Sequence, residues 1–260
     1  MTRRLLGAMS GHGKSFVGQS IIERNIPEFE HVAVLDFKDE YRGLVKAGFA
    51  SHFIVGPREA SWSVKMWESF IAENGAVVLA RYNLPPEEWR TVCARIIKAA
   101  RRLGDSLTAI DEAHFVAPQT GKVPDAIEGL ATTGRGEGAS SLWITQRLAK
   151  LEKTVVSQCD ETVLGAFKAK QDRNQIEAEY PVDVHNPSVS RVPSLPEELH
   201  APDAGPVPLR QFEDDAGHII GSEWIFANTA GEMDRWDTRG LEMESTHYGP
   251  EGNPIHDPNL

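Results

Sequence analysis

Ala8-Met9-Ser10-Gly11-His12-Gly13-Lys14-Ser15 is the stretch that decides how this chain reads. Gly13-Lys14-Ser15 follow Ala8 after four residues, the spacing of a Walker A phosphate loop with Ala in place of its first Gly. Small residues let consecutive backbone N–H groups close around phosphate oxygens at the start of a helix. The amides of Ser10, Gly11, His12, Gly13, Lys14, Ser15 and Phe16 are the candidates for that cradle. The Lys14 ammonium is placed to reach the β- and γ-phosphates, and the Ser15 hydroxyl to bind Mg²⁺. The flanks agree: the apolar run Leu5–Met9 precedes the loop, and Phe16, Val17, Ile21 and Ile22 follow at helical spacing.

A second signal lies about 100 residues on, an ordinary separation between two halves of a phosphate site. Leu107-Thr108-Ala109-Ile110-Asp111-Glu112 is an apolar strand ending in two carboxylates, a Walker B element. Adjacent side chains at a strand end face opposite ways, which suits two tasks. Asp111 is expected to hold the Mg²⁺ shell, and Glu112 to orient and polarise the attacking water. The pair predicts an ATPase using ATP and Mg²⁺ rather than a protein that only binds nucleotide. Asp111-Glu112-Ala113-His114 also spells the box of a large helicase class, but the residues after it hold no second motor core.

Outward from these motifs, short apolar runs alternate with helical stretches, the pattern of an α/β protein with a mostly parallel sheet flanked by helices. Strands are predicted at Leu5–Met9, Val32–Asp36, His52–Val55, Ala76–Arg81, Leu107–Asp111, Leu142–Gln146 and Thr162–Phe167. The clearest helix runs from Pro85 to Leu103. Proline and two glutamates open it, Trp89, Val92, Cys93, Ile96, Ile97 and Leu103 form one apolar stripe, and Gly104 stops it. After Tyr180 the texture changes. Seven prolines fall between Pro181 and Pro208, and a pair of strands, His218–Ile220 and Glu223–Ala227, is expected beyond them as a β-hairpin. Two regions result: an ATPase domain over 1–180, and an acidic extension over 181–260 that packs on it or on a neighbour. The composition of Gly249-Pro250-Glu251-Gly252-Asn253-Pro254 predicts a flexible end covering roughly the last 12 residues.

Charge follows the same division. Up to Tyr180 there are 23 Lys+Arg and 23 Asp+Glu; beyond it there are 4 and 15, so the net −11 is 4 minus 15 and belongs wholly to the extension. Any DNA contact must then be local, because phosphate binding needs nearby cations. Cys93 and Cys159 form no metal-ligand pattern and no disulfide framework, which fits a reducing, cytoplasmic setting. No apolar run is long enough to span a bilayer, so no membrane insertion is expected.

Over residues 1–180 further motifs arrive in order. Asp36-Phe37-Lys38-Asp39-Glu40-Tyr41 closes the second strand, Gly134-Arg135-Gly136-Glu137-Gly138 precedes the strand ending Ile144-Thr145-Gln146-Arg147, and Val155-Val156-Ser157-Gln158-Cys159-Asp160 follows. Together they resemble the HerA–FtsK family of DNA-pumping ATPases, with Phe37 and Asp39 where that family carries Pro and Gly. The resemblance implies a RecA-like P-loop NTPase core working as a homohexameric ring around double-stranded DNA. It implies that Gln146 senses the γ-phosphate, and that a neighbouring subunit inserts an arginine, Arg135 as first choice and Arg147 as second. With Lys14 so near the first residue, the chain is expected to lack the N-terminal barrel or anchor of cellular members. It then looks like the genome-packaging ATPases of internal-membrane, double-jelly-roll viruses, which dock on a capsid vertex protein in the host cytoplasm. A cellular or plasmid DNA motor of the same family is the alternative, as is an ATP-dependent assembly switch that moves no DNA. Candidate backbone-directed DNA contacts are Gln119 and Lys122 in the loop Phe115–Pro124, and Arg95, Lys98, Arg101 and Arg102, which share about 120° of one helix face.

Overall fold

The computed structural model describes residues 1–248, and the expected flexible end lies outside the described residues. The strands are β1 (Arg3–Gly7), β2 (His31–Asp36), β3 (Ser51–Val55), β4 (Ala76–Arg81), β5 (Ser106–Ile110), β6 (Ala139–Thr145), β7 (Glu161–Leu164), β8 (Gln211–Glu213), β9 (Ile219–Asn228) and β10 (Met233–Asp237). Among the described residues they form one sheet in the order β10-β9-β7-β1-β6-β5-β2-β4-β3, with β8 pairing β9. From β7 to β3 every neighbouring pair is parallel. The predicted α/β class is therefore observed, and each of the seven strands read from residues 1–180 is present with ends shifted by a few residues.

The helices are α1 (Lys14–Asn25), α2 (Arg42–Lys46), α3 (Val64–Asn74), α4 (Pro86–Leu103), α5 (Ala113–Val116), α6 (Asp125–Thr132), α7 (Lys153–Ser157) and α8 (Lys170–Arg173). They split the apolar residues into two layers. One, on the α3, α4 and α6 face, gathers Trp67, Trp89, Ile96, Ile97, Leu130, Trp143 and Phe167. The other, on the α1 face, gathers Val17, Ile22, Val34, Tyr41, Leu44 and Trp224. Strands covered on both faces need apolar side chains on both, which is why β2 reads His-Val-Ala-Val-Leu-Asp with every residue buried. The stripe predicted for α4 faces the first layer: Trp89, Val92, Cys93, Ile96 and Ile97 are all buried.

The C-terminal segment differs from the sequence reading. The two strands expected at His218–Ile220 and Glu223–Ala227 are one continuous strand, β9, and its hairpin partners are β10 on one side and β8 on the other. Gly221-Ser222 had the look of a turn. Instead, Gly221 is there for close approach, since a Cβ would meet the Arg239 side chain at 2.5 Å. Ser222 is held extended by the Thr238 hydroxyl, which accepts its N–H at 3.0 Å. Strand β9 also runs antiparallel to β7, so residues beyond 180 enlarge the sheet built by residues 1–180. The proline-rich stretch encloses a third, smaller cluster of Tyr180, Val184, Val192, Leu195, Leu199, Leu209 and Ile225.

Candidate nucleotide-binding site

Strands β1, β6, β5 and β2 are consecutive in the sheet, so the segments that follow them meet along one edge, at strand spacings of about 4.8 Å. The P-loop leaves β1, Gln146 follows β6, Asp111 and Glu112 follow β5, and Asp36 ends β2. The register supports this, with Gly7 opposite Thr145, Ile110 opposite Trp143 and Leu35 opposite Ile110.

The P-loop itself turns through two left-handed glycines, Gly11 at φ +78° and Gly13 at φ +85°. Gly13 caps α1, whose first turn carries no acidic residue and no side-chain cap. Its leading N–H groups are left to a ligand, and the helix dipole favours an anion there. The His12 side chain lies away from the expected amide cradle: its ring is fully buried and turned into the protein. Nε2 lies 3.2 Å from the Ala166 amide nitrogen and 3.1 Å from the Glu223 carbonyl, and the ring sits 5.1 Å from that of Trp224. Burial lowers the His12 pKa, so the ring is neutral. What His12 can offer a phosphate is its backbone alone.

Sequence reasoning missed how the extension holds this loop. Ser222 Oγ donates to the His12 carbonyl at 2.7 Å, and Gln211 Nε2 donates to the Gly11 carbonyl at 2.8 Å. Trp224 Nε1 donates to the same Ser222 hydroxyl at 2.9 Å, fixing its rotor. Partners more than 200 residues apart leave no local pattern to read.

Carboxylates crowd the Walker B end. Asp111 is buried, and neither of its oxygens has a hydrogen-bond partner among the described residues. Burial pushes its carboxyl up to about 6, with Lys14 pulling it down and Glu112 and Glu40 pushing it further up. Asp36 accepts the N–H groups of Lys38 (3.2 Å), Glu40 (3.1 Å) and Tyr41 (3.0 Å). Burial and the nearby Asp111 charge nevertheless push it up to about 8. Three buried carboxylates, Glu40, Asp111 and Glu112, thus face two lysines, Lys14 and Lys38. That excess of negative charge, with bare carboxylate oxygens on Asp111, fits a hard divalent cation. No group of three or more His, Cys, Asp or Glu that could hold a metal occurs among the described residues. A cation held by Ser15 and Asp111 therefore needs phosphate oxygens and water to complete its shell, as Mg²⁺ does beside a nucleotide.

Glu112 is fully buried in a left-handed conformation, φ +46°. Its carboxylate is paired with the Lys38 ammonium and lies 3.3 Å from His114 Nδ1. Among the described residues the Gln146 amide makes no hydrogen bond, and Gln146 follows directly on Thr145, whose hydroxyl accepts the Arg147 N–H at 3.1 Å.

This edge, with its free helix N-terminus and bare Asp111, is where the protein can be set beside known ones. No protein-family model matches the sequence, and no curated protein matches it. Among solved structures it is similar to the genome-packaging NTPase B204 of Sulfolobus turreted icosahedral virus 2 bound to ATP-γ-S. The TM-score is 0.58 at 13% identity, over 90% of this chain and 95% of that one. The fold is the same. The DNA-packaging ATPase B204 of Sulfolobus turreted icosahedral virus gives a TM-score of 0.56 at 13% identity, over 90% of this chain and 96% of that one. VirB4 of Thermoanaerobacter pseudethanolicus gives 0.57 at 12% identity, over 95% and 90%. This chain thus shares the fold of B204 and VirB4.

The two candidate arginines sit apart. Arg135 precedes β6, at the sheet end opposite its own P-loop; its side chain is 62% exposed and 3.8 Å from Asp160. That position leaves it out of reach of the P-loop of its own chain. Arg147 lies on the P-loop edge, 47% exposed and 3.7 Å from Asp172. The α4 basic face is largely occupied. Arg101 binds Glu137 at 2.7 Å and the Ala126 carbonyl at 3.0 Å, Arg95 donates to the Ala60 carbonyl, and Arg102 lies 3.7 Å from Glu68. Arg95 and Arg101 are spent on packing, so they are removed from the DNA-contact candidates; Lys98 is exposed, as is Lys122. No described helix is long and apolar enough to cross a membrane.

Proposed function

We propose that this protein is a Mg²⁺-dependent ATPase of the HerA–FtsK kind that drives double-stranded DNA through a homohexameric ring, most specifically for packaging a viral genome. The observation that carries the reading is the convergence on one sheet edge of a free helix N-terminus, Lys14, the bare Asp111 carboxylate, buried Glu112 and unbonded Gln146. The shared fold of two proteins described as genome- or DNA-packaging enzymes supports it.

Within that site each residue has a task. The amides opening α1 bind the phosphates, and Lys14 neutralises charge developing on the transferred γ-phosphoryl group. Ser15 and Asp111 hold Mg²⁺, which when bound draws charge from the β- and γ-oxygens. Glu112 accepts a proton from the attacking water, and Gln146 bridges that water and the γ-phosphate through its amide. Arg135 of one subunit completes the site of the next. DNA is held by its backbone without regard to sequence, on loop residues such as Gln119 and Lys122. Docking on a capsid vertex protein supplies the anchor.

The test is ATP hydrolysis with and without duplex DNA, at low and high salt, alongside Glu112→Gln. The expected result is Mg²⁺-dependent turnover raised by duplex DNA, and a Glu112→Gln variant that binds ATP but turns over about 100-fold or more slowly. Hydrolysis indifferent to DNA at every salt concentration favours the assembly-switch alternative. No hydrolysis at all removes the enzyme reading.

A further inference from the structure

The segment Asp36–Tyr41 has no task in the site as described, yet it is the most tightly fastened loop at the phosphate edge. Its base is pinned by the Asp36 carboxylate, which accepts the amides of Lys38, Glu40 and Tyr41. Its tip turns through Asp39, a non-glycine residue at φ +61°. That left-handed turn costs free energy and persists because Asp39 pairs with Arg42 and lies 3.3 Å from His52. Between base and tip, the Phe37 ring stacks on Phe115 of α5 at 4.5 Å and 14°. The Arg81 guanidinium lies 3.9 Å from the Phe37 ring centre, and Arg81 donates to the Phe37 carbonyl at 3.2 Å. Phe115 is three residues from Glu112, so the loop and the Walker B turn are bolted to each other by a ring on each side.

Lys38 is the product of that fastening. With its neighbours in sequence both held, its ammonium pairs directly with the buried carboxylate of Glu112, while the Asp111 and Glu40 charges add a weaker attraction. Glu112 for its part is in a left-handed conformation that turns its side chain inward to this pair. A carboxylate free to rotate about its last bond presents its oxygens to the water over a broad range of angles. One whose Oε1 is tied to a fixed ammonium presents the other at a set angle, the geometry that proton abstraction demands.

We propose that Lys38 is a positioning residue for hydrolysis, fixing Glu112 at the angle from which it takes the proton of the attacking water. The inference rests on the ATPase reading and adds a residue to it. Lys38 touches neither phosphate nor water in this role. Its effect passes through Glu112, so it acts on turnover and leaves nucleotide affinity alone.

The experiment is a double-mutant cycle on the full chain, with kcat and KM for ATP hydrolysis, ATP-γ-S affinity by calorimetry and thermal melts for each variant. Lys38→Met lowers kcat by about 10- to 100-fold and leaves ATP-γ-S affinity within about twofold. Lys38→Arg, which keeps a cation at that reach, recovers most of the lost rate. In a Glu112→Gln background, Lys38→Met produces no further loss, because the residue it positions is already disabled. Four results overturn the inference. They are wild-type-like kcat in Lys38→Met, a parallel loss of ATP-γ-S affinity, further loss of rate on top of Glu112→Gln, and a Lys38→Met chain that fails to fold while Lys38→Arg is normal. If the wild-type protein itself does not hydrolyse ATP, the ATPase reading falls and takes this inference with it, an outcome distinct from the other four.

Discussion

His114 Nδ1 lies 3.1 Å from the hydroxyl of Thr145, tying the turn after β5 to the end of β6. The same imidazole nitrogen is 3.3 Å from Glu112, and the same hydroxyl accepts the Arg147 N–H. Burial lowers the His114 pKa to about 4, so at neutral pH the link is a hydrogen bond between neutral groups. One short chain of contacts therefore joins the carboxylate proposed to activate water to the strand end that carries Gln146.

Cutting this link should uncouple the two. Thr145→Val keeps the shape and removes the hydroxyl, leaving the buried His114 Nδ1 and the part-buried Arg147 N–H without it at a cost of about 1–3 kcal/mol in stability. Turnover should fall about tenfold, a typical loss when a supporting hydrogen bond to an active-site group goes, with ATP-γ-S affinity unchanged. Steady-state kinetics and calorimetry on the same preparation check both halves.

A second expectation concerns nucleotide affinity without nucleotide contact. Ser222→Ala removes the donor to the His12 carbonyl and the acceptor for Trp224 Nε1, both inside the protein. Stability should drop by about 1–3 kcal/mol, and ATP-γ-S should bind several-fold more weakly because the P-loop carbonyl is no longer held. Gln211→Ala, on the exposed side of the loop, should show the same direction with a smaller effect. Calorimetry at fixed Mg²⁺ measures each.

Acid sensitivity has a named source in the extension. His185 donates Nδ1–H to the Gly165 carbonyl at 2.8 Å, Tyr180 Oη lies 3.2 Å from Nε2, and burial lowers its pKa to about 4. The unfolded chain, at about 6.5, binds a proton first as pH falls. Stability is thus complete above pH 6.5 and lost between there and pH 4, by up to about 3 kcal/mol. His185→Asn keeps a donor to Gly165 and does not titrate. Urea denaturation should show wild type losing its advantage over His185→Asn as pH drops from 7 to 4; a constant gap would falsify the assignment.

Arg135 yields a prediction about assembly. It stands at the far end of the sheet from its own P-loop, so in the proposed ring it would act on a neighbour's site. Arg135→Ala alone should lose about 10²-fold or more in turnover while binding ATP-γ-S normally. Mixed with Lys14→Ala subunits, it should regain part of the activity, because some interfaces then combine an intact P-loop with an intact arginine. Mixing that restores nothing, or full activity of Arg135→Ala alone, moves the role to Arg147.

The parts of this site that could be read from sequence are those whose chemistry is local. The P-loop, Asp111-Glu112 and the strand ending in Gln146 each announce themselves within eight residues, through glycine spacing or an apolar run closed by polar residues. Lys38 stood in a recognised element, but its partner is 74 residues away by number and no periodicity links them. The α4 face misled for the same reason. Helical spacing gathered Arg95, Lys98, Arg101 and Arg102, and nothing nearby in sequence shows that Glu137 and the Ala60 carbonyl take up two of them. Gly221-Ser222 misled in the opposite sense, because a glycine needed for close approach looks the same as one needed for a turn.

The bond from Ser222 to His12 spans 210 residues of chain. A ribosome adding roughly 5–20 residues each second therefore takes on the order of ten seconds or more, once the P-loop has been made, to deliver its holder. For the latter part of that interval both Walker motifs already exist, but the carbonyl of His12 has nothing to tie it. The P-loop thus gains its Ser222 hold only once β9 has been made, long after its own residues.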